Sequence, residues 1–232
     1  MNRIVLAVLA LWISFPASAA ERRYTVTDFD RVRIEGAYQV SLATGRASSA
    51  RASGSQEALD RLQIDVEGMT LRIRPNQSAW GGYPGRQDAG PLRITLTTQS
   101  LRAATVQGAG TLNVDRAGGL RLDIALAGSG AIAIPKIEAD ALAVALLGSG
   151  TIQLGGTTKT VRAQISGSGN LLAEGLTASD AQVLGDTAGT IRLTVSRSAK
   201  VTASASGDVD VLGSPACTVK VTGTGRVRCG PN

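Results

Sequence analysis

Residues 126–154 read LAGSGAIAIPKIEADALAVALLGSGTIQL, and the GSG triplet returns after 20 residues with the same flanks. Further along the chain stand GAG at 108–110, GSG at 167–169, a looser GDTAG at 185–189, SGD at 206–208 and GTG at 223–225. Counted between Gly110, Gly130, Gly150, Gly169, Gly189, Gly207 and Gly225, the interval is 18 to 20 residues throughout. A constant period of this length, with strand-like flanks, is the pattern of a solenoid in which each repeat forms one turn.

The flanks carry a period of two. Leu120, Leu122, Ile124 and Leu126 alternate with Arg121, Asp123, Ala125 and Ala127, so one set faces a core and the other faces out. The phase continues through the triplet. Gly128 and Gly130 stand at inward parity, Ile132 and Ile134 resume it, and Leu142, Val144, Leu146, Gly148, Gly150, Ile152 and Leu154 repeat the series. Glycine is favoured where a strand turns a tight corner, because space is short and the backbone can need positive φ. The structural corners are therefore Gly108 and Gly110, Gly128 and Gly130, Gly148 and Gly150, Gly167 and Gly169, and Gly223 and Gly225. Return corners fall at 135–141, 155–160, 174–181, 196–200 and 213–216. The expected fold is all-β: a single-stranded parallel β-helix of about seven or more rungs, each roughly 4.8 Å from the next. No aromatic residue follows Tyr83, so the core is aliphatic.

The ends complete the organisation. Residues 1–20, MNRIVLAVLALWISFPASAA, combine Arg3, an apolar run from Ile4 to Phe15 and an Ala-Ser-Ala close, the pattern of a secretory signal peptide. The run is shorter than the ~20 residues a membrane-crossing helix needs. Residues 21–100 are less regular and are expected to supply N-terminal rungs and a cap, including a short helix near 56–62. Residues 101–232 form the regular helix. Cys217 and Cys229, the only cysteines, share inward parity with Val219, Val221 and Val227, so a disulfide is expected to close the last rung of an exported chain.

Composition narrows the function. Without Arg3 the chain carries 23 basic and 18 acidic residues and no histidine. Charge this diffuse does not fit nucleic-acid binding. The outward column Ala109, Ser129, Ser149, Ser168 and Thr224 offers hydroxyls but no histidine to activate them. Neither phosphate-loop pattern is present, nor the nonapeptide of calcium-binding rolls, and two cysteines without histidine form no closed metal shell. No cofactor and no metal is expected. The Pro/Gly loop 75–91 carries Trp80 and Tyr83, candidate binding contacts. Asp208 and Asp210, at shared outward parity about 6.5 to 7 Å apart, are the best carboxylate pair for polysaccharide cleavage, with Asp186 a rung away. Arg192, Arg197, Lys200, Lys220, Arg226 and Arg228 make the 192–228 stretch basic, a candidate for anionic envelope surfaces.

The series F-x-x-V-x-I-x-G-x-x-x-V-x-L from Phe29 to Leu42, then EGMTLRI at 67–73, the repeated GSG units and the closing SGDVDVLGSPACTVKVTGTG resemble the putative auto-transporter adhesin, head GIN-domain family of bacterial envelope proteins. The resemblance covers nearly the whole chain after residue 20. It implies a right-handed parallel β-helix and an adhesin-like role, and no translocator barrel is expected here. The leading expectation is a non-enzymatic exported envelope module, periplasmic or at the cell surface, that presents its face to a protein or glycan partner. The alternative is a carbohydrate-active enzyme built on the same scaffold.

Overall fold

In a computed structural model, residues 20–76 and 92–230 are described. The expected signal peptide and the loop with Trp80 and Tyr83 lie outside the described residues. The N-terminal part comprises β1 (Ala20–Tyr24), β2 (Arg31–Glu35), β3 (Gln39–Thr44), β4 (Ser49–Gly54), α1 (Gln56–Asp60), β5 (Leu62–Glu67), β6 (Thr70–Pro75) and β7 (Arg93–Thr98). The coil continues through β8 (Ala103–Gln107), β9 (Thr111–Val114), β10 (Ala117–Gly128), β11 (Ala131–Gly148), β12 (Thr151–Gly167) and β13 (Asn170–Thr187). It ends in β14 (Thr190–Ala203), β15 (Asp208–Gly213), β16 (Ala216–Val221) and β17 (Val227–Cys229). The fold is a parallel β-solenoid, as the repeat predicts.

Each rung has three faces. In β11 the first residues follow a glycine corner, Ile137 to Ala139 make the return, and Leu142 to Gly148 lead to the next corner. We call these the post-corner, return and pre-corner faces. Ile132 stacks on Ile152 and that on Leu171, while Leu142 stacks on Val161 and that on Ala181, so the inward columns run unbroken through the coil. These side chains are buried and form one continuous aliphatic core. Among the described residues its one buried aromatic member is Phe29, with Tyr24 and Tyr38 packed partly buried against it.

The glycine corners have two separate causes. Gly108, Gly128, Gly148 and Gly167 have φ of +102°, +126°, +114° and +113°, the left-handed region that a side chain disfavours. Their partners two residues on are constrained by the neighbouring rung. A Cβ on Gly130 would stand 2.2 Å from the Gly110 carbonyl oxygen, and one on Gly150 would stand 2.5 Å from that of Gly130. The column continues through Gly169, Gly189, Gly207 and Gly225, each with its Cβ position within 2.7 Å of the preceding glycine's carbonyl. Thr187 replaces the first glycine in one corner. Its hydroxyl donates to the Gly169 carbonyl and accepts from the Gly189 N–H, which holds the same turn by side-chain bonding.

The inward phase expected at Leu120 fails, and that side chain is 81% exposed. Gly119 adopts φ +132°, and Gly118 lies against the Glu138 carbonyl. The alternation therefore restarts after this bend, at Leu122.

The two ends differ. At the N-terminal end β6 and β7 pair outside β2 and β3, then β5 and β4 add antiparallel strands and β1 pairs with β4. Helix α1 starts at Ser55, whose hydroxyl accepts from the Ala58 N–H, and it buries Ala58 and Leu59. At the C-terminal end Cys217 and Cys229 form the disulfide, with Cα atoms 6.4 Å apart. Strand β16 is exposed at every position, Val219 and Val221 by 43% and 42%, since among the described residues no further rung covers its inward parity.

Candidate functional site

The post-corner face runs the length of the solenoid, and its outward side chains stand in columns. One column reads Arg23, Arg51, Thr95, Ser41, Asn113, Ala133, Gln153 and Leu172 in register across β1, β4, β7, β3, β9, β11, β12 and β13. Parallel stacking brings these residues together even though they are scattered through the sequence. Beside this column stand Ala43, Pro135, Gly155, Glu174 and Gly175. Small side chains here leave a trough of about 820 Å³, whose exposed wall is mostly carbon. It crosses six strands, roughly 24 Å at about 4.8 Å per strand.

At its N-terminal end the trough meets a cationic pocket of about 390 Å³, and Thr95 lines both. Glu21, Arg46, Ser49, Arg51, Ser53, Arg93 and Thr97 complete the pocket's polar lining. Glu21 stands 3.8 Å from Arg23 and 3.6 Å from Arg51. These arginines are not evident as a group in the sequence, because the antiparallel pairing of β1, β4 and β7 assembles them. The alternation of SARASG over 49–54, with Arg51 outward, is the one local sign.

The proposed acid pair fares differently. Asp208 and Asp210 do share the outward side of β15. Asp210 lies between Arg192 at 3.7 Å and Arg228 at 3.8 Å, and Asp208 accepts from the Arg226 N–H at 3.2 Å. Asp186 is in register with Ser166 on the pre-corner face, across the corner from both, and accepts from Ser204. Asp186 is therefore set across the corner from the Asp208 and Asp210 pair.

The basic 192–228 stretch is likewise divided by the coil. Arg192 and Arg228 are on the post-corner face beside Asp210, Lys200 and Lys220 are on the pre-corner face, and Arg197 is paired with Asp180. Among the described residues no group of three potential metal ligands occurs, and no helix is long and apolar enough to cross a membrane. At the N-terminal end of the pre-corner face, Arg33 with Glu35, Arg72 with Glu67 and Arg74 with Asp65 form a surface ion-pair network at 2.7 to 3.1 Å.

A family model described as Putative auto-transporter adhesin, head GIN domain matches residues 28–215. No curated protein matches the sequence significantly. Among solved structures, a putative adhesin from Bacteroides fragilis superposes with a TM-score of 0.83 at 20% identity, covering 91% of this chain and 97% of that one. A putative lipid binding protein from Parabacteroides distasonis gives 0.70 at 21% identity, over 91% and 96% of the two chains. A putative adhesin from the same species gives 0.64 at 17%, over 90% and 96%. At these identities the likeness is one of fold.

Proposed function

The chain belongs to the putative auto-transporter adhesin, head GIN domain family, and from that premise we propose that it is a non-enzymatic, adhesin-like protein of the bacterial envelope. It is exported, and it holds an envelope partner, protein or glycan, on its post-corner face. The observation that carries this reading is the trough. A continuous recess of about 820 Å³ runs across six strands, lined by Ala43, Ala133, Pro135 and Leu172 with the amides of Asn113 and Gln153 and the carboxylates of Asp115 and Glu174. Pockets of this kind, apolar with a few polar groups, are the default binding sites of folded proteins. The engagement of Asp210 by Arg192 and Arg228, and of Asp208 by the Arg226 N–H, favours binding over polysaccharide cleavage.

The loop bearing Trp80 and Tyr83 joins β6 to β7, and it is proposed as an additional contact. The test is capture from glycan arrays and envelope fractions by purified residues 21–232, beside Ala133→Trp, which fills the trough, and a Trp80→Ala, Tyr83→Ala variant. Capture lost with Ala133→Trp supports the trough, and loss with the double variant extends the site to the loop. Capture indifferent to Ala133→Trp removes the trough from the site.

A further inference from the structure

We propose that the arginine pocket and the trough are one site for a phosphate-headed lipid, the phosphate held by Arg46, Arg51 and Arg93 and the acyl chain laid along the trough. The proposal rests on the reading of the post-corner face as the binding face, and it gives that face a lipid ligand in place of a protein or glycan.

The first argument is charge. Arg23 is directly opposite Arg51 in the β1–β4 pairing, and Arg93, opposite Ser53, is a diagonal neighbour of Arg51. Like charges directly opposite one another on a sheet are destabilising. Among the described residues Glu21 is the one carboxylate lining the pocket, and it is shared between Arg23 and Arg51. A dianionic phosphate offsets this excess. Guanidinium groups bind its oxygens in bidentate fashion, and the outward hydroxyls of Ser53 and Thr95 supply further donors.

The second argument is continuity. Thr95 separates the pocket from a trough whose wall is carbon at Ala43, Ala133, Pro135 and Leu172. The roughly 24 Å of trough exceeds half of the ~30 Å hydrocarbon core of a bilayer, so it accommodates a membrane-length acyl chain. A cationic end joined to a trough whose exposed wall is mostly carbon, with the carboxylates of Asp115 and Glu174 also in its lining, matches an amphiphile whose charge is held at the arginines. Among the described residues the lining includes no aromatic ring to stack on a sugar.

The test is isothermal titration of the purified protein with three probes below their aggregation concentrations: palmitoyl lysophosphatidic acid, glycerol 3-phosphate and palmitoyl lysophosphatidylcholine. The expected result is binding of the first at least tenfold tighter than of either control. The Arg51→Gln, Arg93→Gln variant is expected to lose tenfold or more toward lysophosphatidic acid while melting no lower than the native protein, since it relieves repulsion. Ala133→Trp is expected to weaken the lipid and leave glycerol 3-phosphate unchanged. Equal binding of glycerol 3-phosphate overturns the lipid assignment in favour of a simple anion site, and equal binding of lysophosphatidylcholine, whose phosphate is a diester balanced by choline, overturns the role given to the negative charge of the phosphate monoester. If lysophosphatidic acid fails to bind while envelope capture persists and remains sensitive to Ala133→Trp, the lipid assignment is wrong and the binding-face reading stands. Loss of both removes both.

Discussion

Gly130 is constrained by backbone and not by a side chain, and that makes its replacement costly. A Cβ there meets the Gly110 carbonyl at 2.2 Å, and that carbonyl is itself bonded to the Ala131 N–H, so neither rung yields cheaply. Gly130→Ala is expected to destabilise by about 3 kcal/mol, at the upper end for overpacking. Ser129→Ala, one residue away and outward, is expected to stay within about 0.5 kcal/mol. Urea denaturation of the two variants checks the contrast. The parity of these glycines is evident in the sequence, but the reason for the second one is not, since its neighbour is 20 residues away. The titrating residues lead to a second expectation. Hydrogen bonds from Arg197 and Ser198 pull the Asp180 carboxyl down to about 2. Burial raises Glu35, but hydrogen bonds from Arg72 and Arg33 outweigh it and hold that carboxyl below its usual range. Folded values below the unfolded ones contribute stability that is present above about pH 4 and lost as pH falls through the folded values. With no histidine in the chain, Tm is expected to be level from pH 5 to 7 and to fall below pH 4. A step between pH 5 and 7 would count against this assignment.

At the scale of elements, β16 and β17 are the weakest part of the coil. A solenoid rung is stabilised only by its neighbours, and among the described residues this rung pairs on one side alone. The disulfide closes a loop with a sequence separation of 12 residues and contributes on the order of 2 to 4 kcal/mol. A Cys217→Ser, Cys229→Ser variant is expected to lose amide protection in β16, β17 and β15 while β10 to β13 keep theirs, measured by hydrogen exchange. Uniform loss of protection would mean that the coil unfolds as a unit. The sequence carries the disulfide clearly, since both cysteines share one parity. It also suggests that they are inside, whereas the absence of a covering rung leaves Cys217 exposed. Local alternation specifies which side of a strand faces the axis, but coverage depends on what stacks above it. Leu120 is the other such case: a glycine bend resets the alternation, and two adjacent glycines are the only warning in the chain.

For the molecule as a whole, the solenoid turns a one-dimensional repeat into long columns, and the columns make the candidate site. Ser41, Asn113, Ala133, Gln153 and Leu172 belong to five different strands and have no common motif, yet parallel register sets them side by side. The regular rungs after residue 100 were legible because each repeats the last. The N-terminal stack was not, because β6 and β7 pair outside β2 and β3 and the antiparallel β4 and β1 follow, so chain order and stacking order diverge there. That divergence also conceals the arginine pocket. Binding on one face and not another is the central claim, and a paired substitution tests it most directly. Ala133→Trp obstructs the trough, while Ala145→Trp adds the same ring to the exposed pre-corner face. With both variants shown by circular dichroism to keep the native spectrum, ligand capture is expected to drop at least tenfold for Ala133→Trp and to be unchanged for Ala145→Trp. Equal loss in both, or loss only in Ala145→Trp, would contradict the assignment of function to the post-corner face.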